Sequence, residues 1–266
     1  MERLLVINGC SHSAGSETEG PGIGDGIVCR NNSFGSMLAE KLDRIPVHLA
    51  LPGGSNDRIA RTSTAWISDN LDKIKNKEID VLFLVHWTGA ERSEYFFPES
   101  TFGKMDPLKT MFMNYSSDTE YWSINANDPL RFQKIVNSNN ISKLAEIYKS
   151  YHNLFLNSLE TWSDNKIKNI VYLQSILKQY NIPYWFGDSF FLDYKETQTY
   201  NSLVKLIDEK YFPYHAQRDK SYYWMCSDAG YKNQDVSGQM WHLNRSAHKY
   251  YANWLLEEIN KVDLNG

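Results

Sequence analysis

Cysteine is scarce in this chain. Cys10, Cys29 and Cys226 are the three in 266 residues, an odd number, far apart and without a C-x-x-C pair. That pattern argues against a disulfide framework and against a zinc site, so no metal is expected. No apolar run approaches the roughly 20 residues that a membrane-spanning helix needs. Lys and Arg nowhere cluster, and the net charge of −4 and pI near 6.0 give no basic footprint for nucleic acid. The apolar run at the N-terminus is shorter than the core of a secretory signal, so a cytoplasmic protein with no membrane association is expected. Internal repeats and low-complexity tracts are absent as well.

What is present is an ordinary globular balance, 42% hydrophobic and 23% charged, with a rich 14% of aromatic residues. Tyr and Trp, 17 and 8 in number, outweigh the 12 Phe, and their polar tips suit wet groove walls as well as cores. The length fits one α/β domain over residues 1–266. Leu4 to Ile7 reads as a buried first strand, followed by small and turn-forming residues and a glycine-rich loop through Gly26. A helix capped by Asn32 or Ser33 carries Phe34, Met37, Leu38 and Leu42. Residues 46–51 read as a second strand. Ser55 or Asn56 caps the next helix, and Ile79 to Trp87 is the strongest strand, apolar throughout as a central parallel strand should be. This β-α-β-α-β order predicts a doubly wound parallel sheet, of about five strands in all. From about 88 to 140 the periodicity lapses into mixed aromatic and polar residues, which predicts an inserted subdomain after the third strand. Helices are then expected over 141–162, 167–180 and about 200–210, a fourth strand over 181–187, a fifth near Tyr222–Met225, and a last helix over 246–261.

A serine on a tight turn at the carboxyl end of a first buried strand occupies the place where an α/β enzyme presents a nucleophile. Ser11 is that residue. It would need a base within hydrogen-bond reach and donors for an oxyanion. In a parallel sheet the loops after the strands gather on one edge. The candidates therefore lie in Gly53-Gly54-Ser55-Asn56, in Trp87-Thr88-Gly89 and in the loop before the last helix, where His242 stands.

Together these segments resemble the SGNH (GDSL-like) hydrolase family. Gly9-Cys10-Ser11-His12-Ser13-Ala14-Gly15 is similar to that family's Gly-Asp-Ser-Leu-Thr-x-Gly signature, Leu49 to Asn56 to its second block, and Trp241 to His248 to its last block, Asp-x-x-His-Pro-Asn-x-x-Gly-His. The resemblance runs through most of the chain in block order. It implies a flavodoxin-like three-layer α/β/α fold and a serine-dependent ester hydrolase that uses no cofactor. Ser11 would be the nucleophile, His242 the base, and the N–H groups of Ser11 and Gly53 part of the oxyanion hole, with Gly54 one register away. Two departures stand out. The family's orienting carboxylate is replaced by Gln239; Asp235 is a substitute, or a Ser–His pair operates with a backbone carbonyl behind the ring. The family's third-block asparagine is replaced by Thr88, with Asn56 on the neighbouring loop as a second donor.

The expected substrate is a small-molecule or carbohydrate ester, such as an acetyl ester. The alternatives are a non-catalytic ligand-binding module and an O-acyltransferase on the same scaffold. Other residues have plainer readings. Gly187-Asp188-Ser189 matches the signature letters but follows the wrong strand. His12 is expected to be a loop residue pointing away from the nucleophile, His86 a core or rim histidine, and Arg92 and Glu94 a solvated turn or the lining of a pocket.

Overall fold

The computed structural model describes residues 1–18, 26–90, 92–96, 121–125, 159–190, 202–215, 217–231 and 242–262. Among them, four strands form one sheet: β1 (Glu2–Asn8), β2 (Ile45–His48), β3 (Ile79–Trp87) and β6 (Tyr184–Asp188). Their order is β2-β1-β3-β6 and every pairing is parallel. Leu4 faces Ile45 on one side and Val81 on the other, so β1 is an interior strand from its third residue onward.

Period-two alternation divides the interior strands between two cores. Leu4, Val6, Val81, Phe83, Val85, Tyr184 and Phe186 face one layer, built from α4 (Asn56–Lys75) and α5 (Leu159–Gln179), which contribute Ile59, Ile67, Ile170, Leu173 and Leu177. Leu5, Ile7, Leu82, Leu84 and Trp185 face the other. That layer is built from α3 (Phe34–Lys41), α6 (Tyr222–Asp228) and α7 (Arg245–Lys261) and carries Phe34, Leu38, Tyr222, Tyr251 and Leu255. The three-layer α/β/α architecture expected from the sequence is therefore present. Two short helices, α1 (Ser11–Ala14) and α2 (Ile27–Asn31), lie between β1 and α3.

The helix starts follow side-chain capping chemistry. Ser33 accepts from Ser36 N–H, Ser55 from Arg58 N–H and Asn244 from Ala247 N–H, each covering a donor that the helix cannot pair internally. Helix α3 begins beside α7, and the Phe34 N–H donates to His248 Nδ1 at 3.0 Å. Gly35 lets α3 close onto β1, since a Cβ there would lie 2.7 Å from Ile7 Cγ2.

Four expectations are corrected. The segment expected to be a fifth strand, Tyr222–Met225, lies in helix α6 instead. Tyr222, Tyr223, Met225 and Cys226 bury a face at helical spacing, and that packing outweighs the strand preference of aromatic residues. No break separates helices near residues 162–167, because α5 runs continuously through them. The start of the expected 141–162 helix lies outside the described residues. Around 200–210, Ser202 and Leu203 are α-helical but the chain tightens at once into a 3₁₀ turn, Val204–Leu206, so the expected helix does not reach Lys210. Arg92 and Glu94 are not a solvated turn: they lie on β4 (Arg92–Phe96), which pairs antiparallel with β5 (Tyr121–Asn125). Glu94 is engaged by Arg61 through two bonds, Nε–Oε2 at 2.7 Å and Nη2–Oε1 at 2.9 Å. The remainder of the expected insertion lies outside the described residues.

Candidate active site

In this strand order the connection direction reverses between β1 and β3. The crevice outside the carboxyl ends of those two strands is where a doubly wound sheet receives ligands. Ser11 follows β1 and Thr88 follows β3, so the two flank that crevice.

The turn that presents Ser11 is fixed from below. Asn8, fully buried, donates to Ile59 O, Thr62 Oγ1 and Ser63 Oγ on α4, while its Oδ1 accepts from Gly9 N–H at 2.8 Å. Gly9 has φ +154°, and a Cβ there would stand 2.2 Å from Ser13 Oγ and 2.9 Å from His86 O. After Cys10 the chain makes a single turn of helix. Ser11 is its first residue, 7% exposed, with an N–H outside the i→i−4 ladder. Gly15, at φ +73°, ends the turn, and the chain folds back through Ser16, Glu17 and Thr18, all buried. Thr18 Oγ1 donates to Gly15 O at 2.8 Å, holding this return.

His242 stands just before α7, and its Nδ1 lies 3.1 Å from Glu17 Oε2. The imidazole is 20% exposed and the carboxylate 1%. Because a carboxylate only accepts, Nδ1 carries the proton and the lone pair of the neutral ring is on Nε2. Burial lowers the His242 pKa, Glu17 opposes that shift, and Arg92 adds to it. The ring of His12 lies 5.2 Å from that of His242, centroid to centroid. His12 is not the loop residue expected from the sequence. It sits in α1, 1% exposed, against Phe190, Tyr222 and Tyr223. Burial first, and then the neighbouring His242, His248, Arg92 and His86, hold its pKa well below the usual value.

The second loop is pinned to the first by Leu51 N–H, which donates to Gly9 O at 3.2 Å. Gly53 is exposed and in the left-handed region at φ +77°, while Gly54 is buried with its N–H on Leu51 O at 3.0 Å. Asn56 reaches across to the third loop. Its Oδ1 accepts from Thr88 N–H at 3.0 Å, and its Nδ2 donates to Thr88 O and Gly89 O at 3.4 and 3.3 Å. Thr88 Oγ1 accepts from Arg92 Nη1 at 3.1 Å, which leaves its own proton to donate onward. Gln239 and Asp235 lie outside the described residues.

Among the described residues, His86 and the Asp188 of the second Gly-Asp-Ser are engaged inside the core. His86 is buried with Nε2 at 3.0 Å from Tyr251 OH. Asp188 is paired at 2.6 Å with Lys166 in the core. Sequence reasoning missed Asn8 and Glu17. Glu17 lies 225 positions from the histidine it meets, and no local spacing announces such a contact. Among the described residues no group of three His, Cys, Asp or Glu could hold a metal ion, and no helix is long and apolar enough to cross a membrane.

Residues 17–119 match the model of a family of unknown function (DUF6071). No curated protein matches the chain. Among solved structures, the chain is similar to a psychrotrophic esterase, EstA from Pseudoalteromonas sp., crystallised with monoethylphosphonate as inhibitor. The identity is 12%, the TM-score 0.40, and 98% of each chain is covered.

Proposed function

We propose that this protein is a serine-dependent ester hydrolase in which Ser11 is the nucleophile and His242 the general base. The observation that supports the reading is that Ser11 stands at the sheet's switch point while His242 contacts its neighbour His12 and the following Glu17. Ser11 opens the helical turn after β1, and His242 packs on the residues that follow it, with Nε2 as the basic nitrogen. Ser11 Oγ attacks the ester carbonyl while His242 takes its proton. The same imidazolium returns the proton to the leaving alkoxide as the tetrahedral intermediate collapses, and water then repeats the sequence on the acyl-enzyme.

The oxyanion would be received by the N–H groups of Ser11 and Gly53 and by the Thr88 hydroxyl. We assign Asn56 to holding the Thr88–Gly89 turn, because its amide is committed there. A small acyl group, such as acetyl on a carbohydrate, is the substrate class this reading favours, in keeping with a serine only 7% exposed.

The test is hydrolysis of p-nitrophenyl acetate together with fluorophosphonate labelling. Ser11→Ala is expected to lower kcat by roughly 10⁴-fold or more, as loss of a serine nucleophile typically does. The phosphonyl adduct should map to Ser11 by mass spectrometry. Equal rates in wild type and variant, or an adduct on another residue alone, would reject the assignment. Transfer to an added alcohol that outpaces hydrolysis would move the reading to an acyltransferase on the same nucleophile.

A further inference from the structure

We infer that Glu17, six residues after the nucleophile on the same loop, is the positioning carboxylate of His242, in place of a group three residues before the histidine. This deepens the hydrolase reading and rests on it for its catalytic meaning, though the pair itself does not depend on that reading.

Four observations support the assignment. The Nδ1–Oε2 separation is 3.1 Å, within charge-assisted hydrogen-bond range. The Glu17 side chain is 1% exposed, so solvent does not screen the contact. Glu17 holds a left-handed backbone at φ +65°, which β-carbon-bearing residues seldom adopt, and such outliers gather at functional sites. The return of the chain that creates this conformation is itself built in, by the left-handed Gly15 and the Thr18 hydroxyl bonded to Gly15 O. A Cβ on Gly15 would lie 2.2 Å from Cys29 O, so the loop can pass only with glycine there.

Chemically, a carboxylate on Nδ1 fixes the tautomer with its lone pair on Nε2 and stabilises the imidazolium that forms when Ser11 gives up its proton. Among the described residues, the groups facing the ring from the elements around it are Glu17 from the loop, His12 from α1, Arg92 from β4 and His248 from α7. Glu17 is the acid among them. Its removal therefore leaves burial and Arg92 acting alone, both of which disfavour the charged ring.

The experiment is histidine-selective ¹⁵N NMR on the full chain, with His242 assigned through His242→Asn. In the unsubstituted protein the neutral His242 ring is expected to carry its proton on Nδ1; an Nε2-protonated ring would overturn the proposal without any further variant. In Glu17→Gln the His242 titration should move to lower pH by roughly one unit, the scale of a neighbouring charge. Asp235→Asn and Gln239→Ala should leave it in place. An unmoved titration in Glu17→Gln, or a shift with Asp235→Asn instead, rejects the assignment.

Kinetics supply the catalytic half. Activity should rise with pH as the imidazole loses its proton, and Glu17→Gln should shift that rise to lower pH. It should also lower kcat by roughly 10²–10⁴-fold with KM little changed, and Glu17→Asp should restore part of the loss. If the wild type hydrolyses no ester, the hydrolase reading fails while the NMR titration still decides the Glu17–His242 pair.

Discussion

Gly9 shows how much of the site depends on a missing side chain. Its amide is held by Asn8 Oδ1, and its Cα faces Ser13 Oγ and the His86 carbonyl at distances no Cβ tolerates. Gly9→Ala combines an unfavourable backbone with overpacking, and should cost about 2–4 kcal/mol. Urea denaturation should show the midpoint falling with the slope unchanged; a loss below about 0.5 kcal/mol would mean that the turn relaxes freely. The sequence spoke clearly about residues whose role is set by neighbours a few positions away. Ser11 at the end of an apolar strand, the Ser33 and Ser55 caps, and the approach of His242 to the last helix were legible for that reason. Glu17 and His12 were not. Their placement comes from long-range contacts with His242, made by a chain reversal that no short motif encodes.

At the scale of elements, α5 and β6 are joined by a buried charge pair. Lys166 Nζ is 0% exposed and Asp188 3%, at 2.6 Å. Taking two charges out of water is costly, so the pair is worth less than its geometry implies, but removing one partner strands the other. Lys166→Met should therefore destabilise by about 3–5 kcal/mol, and a following Asp188→Leu should recover much of it. The pH dependence identifies the cause. Burial already raises the Asp188 pKa, and loss of Lys166 removes the main opposing influence. With the folded pKa above the unfolded one, protonation favours the native state, so the variant's deficit should shrink as pH falls from 8 towards 5. A deficit independent of pH would point to lost packing rather than a stranded carboxylate. The elements themselves were legible where periodicity was unambiguous: β1 and β3 as near-continuous apolar strands, α4 and α7 as amphipathic helices. The aromatic segment 222–225 was misread because Tyr and Trp fit either a strand or a helix, and its burial against the α3 and α7 layer decided the outcome.

For the molecule as a whole, one layer is assembled around uncharged imidazoles. His86 on β3 meets the Tyr251 hydroxyl of α7, and His248 of α7 accepts the Phe34 N–H that opens α3. Strand β3 and helices α3 and α7 are thus tied by two histidines, each fully buried, with pKa values lowered by burial to about 3. Protonating His248 on Nδ1 would abolish the acceptor that α3 uses. The unfolded chain takes up protons on both residues near pH 6.5, whereas the native state resists until near pH 3. The stability these groups contribute is therefore whole above pH 6.5 and is lost progressively as pH falls. By pH 5 each accounts for about 2 kcal/mol, so the pair should remove about 4 kcal/mol relative to pH 8. Urea titrations at pH 8, 6.5 and 5 measure the loss. His248→Asn places a non-titrating acceptor near the position of Nδ1, so it should reduce the pH 8 to pH 5 loss by about 2 kcal/mol relative to wild type. If wild type and variant lost stability in parallel, His248 would be titrating near its ordinary pKa, and the imidazole tie between α3 and α7 could not be what makes the fold acid-sensitive.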